Sequence, residues 1–280
     1  MNHTSLCVVP PFEHFSCLNC DIRTLTASQA MSISNLRVGE STLTGQGRTH
    51  LTIRFLHFFL YNSCQFPDFK LLCNETRRNV DVEALSLRLS MAPRQLRSLF
   101  ASLSLVEAQL RSLSSIQIQQ VLFILGPNVH KPLRVVLLNF QDCDIDHSFE
   151  EDTNDIGSSI ADECFPVFFR NLMQCPQYAA MFGRSLQPSR LHVYFKSKKG
   201  LRCSDCIPKV NFRPPFRDVH IINVLSMEDT MELSTVVEPN SNTDRSGYDK
   251  EDNDNLACQL MATHEDEMWF ACSKVIPGCQ

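Results

Sequence analysis

The chain has 280 residues, and 43% of them are apolar, enough to bury a substantial core and too many for a disordered chain. Its 26 Lys+Arg against 31 Asp+Glu leave a net charge of -5, which does not mark a wholesale polyanion or membrane binder. Its nine glycines are few for a protein that builds phosphate-cradling loops or nucleophile turns.

Thirteen cysteines, an odd number, run from Cys7 to Cys279 without the dense spacing of a small secreted scaffold. The first residues lack the basic cluster and apolar core of a secretory signal. The longest apolar stretch, Ile53 to Tyr61, is interrupted by Arg54 and His57 and falls far short of the roughly 20 residues that cross a bilayer. A soluble, intracellular protein with no membrane partner is expected.

In chain order, Ile33 to Val38 and His50 to Phe59 alternate around Gly39, Gly45 and Gly47, which predicts a hairpin. Leu85, Leu87 and Leu89 alternate as a further strand. From Gln95 to Leu113 the apolar residues Leu96, Leu99, Phe100, Leu103, Val106, Leu110 and Leu113 recur every three or four positions, the pattern of an amphipathic helix, with Arg97, Ser104, Gln109 and Arg111 elsewhere. Val121 to Leu125 and Leu133 to Phe140 flank Gly126-Pro127-Asn128 and predict two buried strands around a turn. Ser158 or Ser159 is placed to cap a helix running to about Met173, and Leu191 to Phe195 and Val219 to Leu225 predict strands separated by Pro208, Pro214 and Pro215.

Without a regular β-α repeat, these elements predict an α+β fold, a mixed or antiparallel sheet with a few packed helices. Three regions follow: residues 1–29 with a C-x-x-C pair, an α+β core over 30–225 that the acidic loop 141–163 divides, and an acidic, largely flexible tail over 226–280. Met227 to Asn255 offers little apolar surface, so the tail is expected to be dispensable for folding.

Charge changes sign by segment: +5 over 1–140, -9 over 141–163, +8 over 164–225 and -9 over 226–280. The nine carboxylates from Asp142 to Glu163 suit an exposed loop or a basic partner. Asp142, Asp144 and Asp146 start like a calcium loop, but His147 and Thr153 stand where its glycine and bidentate glutamate belong. Lys196, Lys198, Lys199 and Arg202 surround Gly200 at an expected hairpin tip, followed by Arg213 and Arg217, a surface for nucleic acid or an acidic partner. Tyr194, Phe195 and Phe212 among these charges suggest base stacking, although alternation turns Val193 and Phe195 inward.

Cys17, Cys20, Cys203 and Cys206 form two C-x-x-C pairs with the spacing of zinc ligands, but about 180 residues separate them, so a shared site requires the fold to bring them together. Ordinary reduced thiols are the alternative, and the cofactor expectation is none, or zinc. Ser226, Ser241 and Ser246 each precede an acid by three residues, at Asp229, Asp244 and Asp249, so phosphorylation would strengthen a tail that competes for the basic segment.

No dinucleotide fingerprint, phosphate loop, H-E-x-x-H or G-x-S-x-G occurs, and His57 among phenylalanines suits a packed histidine better than a base. The expected function is a non-catalytic interaction or accessory subunit whose partner is another protein. A zinc-stabilised nucleic-acid-binding module in a nuclear assembly is the second reading, and an enzyme without familiar motifs the third.

Overall fold

Short runs of β-branched and aromatic residues, buried on both faces, form the centre of this protein as a mixed eight-stranded sheet. The computed structural model describes residues 32–38, 44–66, 94–140, 165–226 and 266–279, apart from 117, 167, 185, 202, 204, 216 and 217. In chain order the elements are β1 (Ser32–Val38), α1 (Gly45–Asn62), α2 (Arg94–Ser112), β2 (Gln120–Gly126), β3 (Arg134–Phe140), α3 (Pro176–Phe182), β4 (Arg190–Lys198), β5 (Cys206–Lys209), β6 (Val219–Ser226), β7 (Glu267–Cys272) and β8 (Ile276–Pro277), with a further helical stretch at 168–174. The sheet order is β1-β6-β3-β2-β4-β7-β5, with β8 on β4. Strands β1, β6 and β3 are mutually parallel and the remaining pairings antiparallel. The α+β class with a mixed sheet is therefore observed.

Alternation sorts each strand between two cores. Val121, Phe123 and Leu125 of β2 face the helices with Leu138 of β3 and Phe195 of β4, while Leu122 and Ile124 face the other way with Leu137, Tyr194, Ile221 and Trp269. On the helix side Phe55 and Phe59 of α1 lie 5.3 and 5.9 Å from the Phe123 ring. Each such side chain, withdrawn from water, stabilises the fold by about 1.5–3 kcal/mol.

The expected hairpin over 33–38 and 50–59 does not form. Ile33 to Val38 belongs to β1, but His50 to Phe59 lies inside α1. Thr44 caps this helix by accepting the Gly47 amide at 3.1 Å, so Gly45 and Gly47 belong to its first turn and not to a loop between strands. A side chain at Gly45 would collide with the Ser114 carbonyl, so glycine lets α1 start against the end of α2. Alternation was misleading because Leu51, Ile53, Phe55, Leu56, Phe59 and Leu60 are all buried, which blurs the helical period.

The amphipathic stripe of α2 packs as its spacing predicts, burying Leu99, Phe100, Leu103, Val106 and Leu110. The turn between β2 and β3 and the strands at 190–198 and 219–226 also agree with expectation. The expected strand at Leu85 to Leu89, the Ser158 or Ser159 cap and the acidic loop 141–163 lie outside the described residues.

The C-terminus departs furthest from expectation. Residues 227–265 lie outside the described residues, but β7 is inserted between β4 and β5, and β8 pairs with the start of β4. The apolar patch at the chain end is thus built into the sheet: Trp269 enters one core and Phe270 the other, where it stacks on Phe195 at 5.4 Å. Consequently β4 and β5 are not a hairpin, since β7 lies between them. Strands β7 and β8 lie within the segment expected to be an acidic, largely flexible tail beyond residue 225, and they extend the sheet past that boundary. Trp269→Ala is expected to cost about 3–5 kcal/mol, and truncation after Leu225 to abolish the cooperative denaturant transition. A truncated chain unfolding as sharply as the parent would show that the sheet closes without β7.

Candidate functional site

The strand register gathers polar residues that are far apart in sequence into one row. Asn35 lies opposite Asn223, Asn223 opposite Asn139, Asn139 opposite Gln120 and Gln120 opposite Lys196, so five strands contribute one residue each. The residues two positions further into the sheet are apolar on every strand: Ile33, Ile221, Leu137, Leu122 and Tyr194.

Within the row, Gln120 Nε2 donates to Asn139 Oδ1 (3.0 Å), Asn139 Nδ2 to Asn223 Oδ1 (2.8 Å) and Asn223 Nδ2 to Asn35 Oδ1 (2.8 Å). Every amide points its donor toward β1, so the dipoles add and each bond polarises the next. Asn35, at the exposed edge, ends the series. At the other end buried Lys196 forms an ion pair of 2.7 Å with Glu267 of β7.

This row marks one end of the sheet. Strands β1, β3, β4 and β6 all run toward it, and β2 and β7 begin there. Phe140 and Ser226, from which the two acidic stretches depart, therefore lie on adjacent, paired strands. The second stretch returns at Glu267, four strand spacings from β6, or about 19 Å at ~4.8 Å per step. It is a connection anchored at both ends.

The helix side holds a second polar centre, which the sequence pattern did not reveal. His57 of α1 donates from Nε2 to Glu107 Oε1 of α2 at 2.6 Å, and Arg111, one turn on, donates to Glu107 Oε2 at 2.7 Å. Burial alone would raise the Glu107 carboxyl, but the His57 hydrogen bond and the charges of His57 and Arg111 outweigh it and hold the group below its ordinary value. Buried Arg134 of β3 donates to Ser63 Oγ and to the Met181 and Arg184 carbonyls and lies 5.2 Å from the Phe182 ring centre. Burial lowers this guanidinium to about 10, so it stays charged at neutral pH. His220 of β6 is pushed down to about 4 by burial and by the Arg134 charge, and Tyr178 beside it donates to the Ile221 carbonyl at 3.1 Å.

The expected site residues are placed as follows. Lys196 is buried and paired with Glu267, because its strand position turns it inward with Tyr194. Lys198, Lys199 and Arg213 are exposed, while Arg202, the Arg217 side chain and the Ser226 side chain lie outside the described residues, as do Ser241 and Ser246. Tyr194 stacks on Phe212 at 4.4 Å, and Phe212 meets Trp269 edge-on at 6.0 Å. Tyr194 and Trp269 are buried and Phe212 half-buried, so these rings are engaged in packing against one another.

Cys203 and Cys206 are joined to each other as a disulfide, and Cys17 and Cys20 lie outside the described residues. Among the described residues no cluster of three His, Cys, Asp or Glu side chains is arranged to hold a metal ion. A surface depression where α2 meets β8 is lined by Ser98, Ser102, Arg190, Val275 and Pro277. None of the described helices is long and apolar enough to cross a membrane. No protein-family description matches this chain, and no curated protein is significantly similar to it.

Two variants test these networks. Asn223→Leu is expected to cost about 1–3 kcal/mol, because it strands one donor and one acceptor of its neighbours. Denaturant unfolding measures it. Glu107→Gln is expected to cost a similar ~1–3 kcal/mol at neutral pH. Since the folded carboxyl titrates below its unfolded value, its contribution is complete above about pH 4.5 and declines as pH falls through the folded value. The gap between parent and variant should therefore narrow on acidification, and a gap independent of pH would place the stabilisation elsewhere.

Proposed function

We propose that this chain is a non-catalytic interaction or accessory subunit that docks a basic partner protein at the polar end of its sheet. One observation carries the reading: the connections leaving β3 and β6 at that end, residues 141–163 and 227–266, contain twenty of the 31 carboxylates and only two of the 26 Lys and Arg. Their points of departure lie on adjacent, paired strands, and like charge gathered at one pole steers a cationic partner and speeds its encounter. The amide row beneath is suited to such a pole, since neutral amides continue the polar surface into the sheet without burying further charge.

The nucleic-acid reading draws less support. Lys196 is neutralised by Glu267, and the aromatic residues of that segment are packed together.

The test compares the parent with a full-length variant in which the nine carboxylates from Asp142 to Glu163 become amides, binding an oligolysine peptide and a single-stranded RNA. Tighter peptide binding by the parent is expected, by about tenfold or more at low salt, with the difference shrinking as salt screens the charges. Equal peptide affinities at low salt, or RNA bound more tightly than the peptide, would overturn the proposal.

A further inference from the structure

The Cys203–Cys206 disulfide has a third cysteine beside it. Strand β5 begins at Cys206 and pairs antiparallel with β7 in a register that sets Cys206 directly opposite Cys272. Residues directly opposite in an antiparallel pair project to the same face, and both cysteines contribute to the helix-side core. Their Cα atoms lie about 4.5–5.5 Å apart by ladder geometry, inside the roughly 4.4–6.8 Å range that a disulfide spans. Cys206 therefore has two partners within bonding reach, one upstream in its own loop and one across the strand pair.

Gln109 of α2 holds the two cysteine-bearing segments together. Its Nε2 donates to the Asp205 carbonyl, one residue before Cys206, and to Ser273 Oγ at 2.8 Å, one residue after Cys272. Its Oε1 accepts the Ser273 amide at 3.2 Å. One buried amide thus fixes the register that faces the disulfide with the free thiol. The strand that must yield is slight: β5 is four residues long, includes Pro208, and forms the edge of the sheet with β7 as its neighbour.

We propose that Cys203, Cys206 and Cys272 form a thiol–disulfide exchange site in which Cys206 alternates between its two partners and releases Cys203 as a thiol for mixed-disulfide formation. The Cys272 thiol loses its proton to solvent, and its thiolate attacks Cys206 Sγ. A new Cys206–Cys272 bond forms as the Cys203–Cys206 bond breaks, and Cys203 departs as a thiolate that takes up a proton. No net oxidant is consumed. The partially exposed Cys203 thiolate then attacks a low-molecular-weight or protein disulfide, forming a mixed disulfide and expelling one thiol. Burial pushes the Cys272 thiol up to about 12, so exchange is slow in the closed strand pair and proceeds when the β5 edge opens.

The test uses the full-length protein incubated with oxidised glutathione at mildly alkaline pH, quenched by acid and mapped by peptide mass spectrometry. The parent should yield both Cys203–Cys206 and Cys206–Cys272 linkages, with glutathione on Cys203. Cys203→Ser should retain only the Cys206–Cys272 linkage. Cys272→Ser should keep the Cys203–Cys206 linkage and lose at least tenfold of the glutathione adduct at Cys203. Gln109→Ala should reduce the Cys206–Cys272 linkage severalfold, and Gln109→Glu, which keeps the acceptor but not the donor, should behave likewise. Circular dichroism confirms folding, and Cys272→Ala replaces Cys272→Ser if the latter does not fold. The proposal is overturned if folded Cys203→Ser protein leaves Cys206 and Cys272 both free for alkylation. It is equally overturned if the folded Cys272 variant acquires as much glutathione at Cys203 as the parent.

Discussion

The sheet depends on the insertion of β7 between β4 and β5. This strand supplies Trp269 to one core and Phe270 to the other, and it carries Glu267, which neutralises buried Lys196. An ammonium at that depth without a counter-ion would face a desolvation penalty of several kcal/mol. The ion pair therefore makes burial of β4 conditional on β7 being in place, and β5 then has a neighbour to pair with. Strand β8, a few residues on, fastens the opposite end of β4, so the last residues of the chain grip one strand at two points.

The two faces of the sheet solve the problem of buried polarity differently. On the helix side charges are retained and matched locally: Glu107 by His57 and Arg111, and Arg134 by a hydroxyl and two carbonyls. On the opposite face polarity is carried by neutral amides that satisfy one another across strands and reach a charge only at Lys196 and Glu267. Amide-to-amide bonds also specify pairing: a one-residue slip of β6 would move Asn223 to the other face and set Ile222 or Val224 against Asn139. The row thus doubles as a register key for three parallel strands whose apolar residues are otherwise nearly interchangeable.

What could be read from the sequence was what periodicity alone determines. Helix α2 and the strands β2 and β3 repeat their apolar residues at the spacing of their own elements, and they stand where expected. Helix α1 was hidden because nearly every side of it is covered, although Thr44 three residues before Gly47 was a visible cap signal. Gln109 falls off the apolar stripe of α2 and Glu107 carries no sequence signal, yet both are buried, since their partners come from α1 and from residues 267–279. The amide row could not be read at all. Asn35, Gln120, Asn139 and Asn223 acquire meaning only from register between strands that the sequence does not pair, and the same holds for Lys196, whose counter-ion lies beyond a long acidic connection.

The pairing of β1 with β6 joins Asn35 to Asn223 across 188 positions. Contacts of such separation are slow to form, because chain closure must be achieved before any pairing energy is returned. During synthesis β1 waits across those 188 positions for β6, while β4 has an open flank from its completion until residues 267–272 follow. An unpaired edge with Val193 and Phe195 on one face is a template for association with another copy. The nascent chain is accordingly vulnerable to aggregation in the interval between β4 and β7, when the flank of β4 is exposed and the sheet still lacks the strand that covers it.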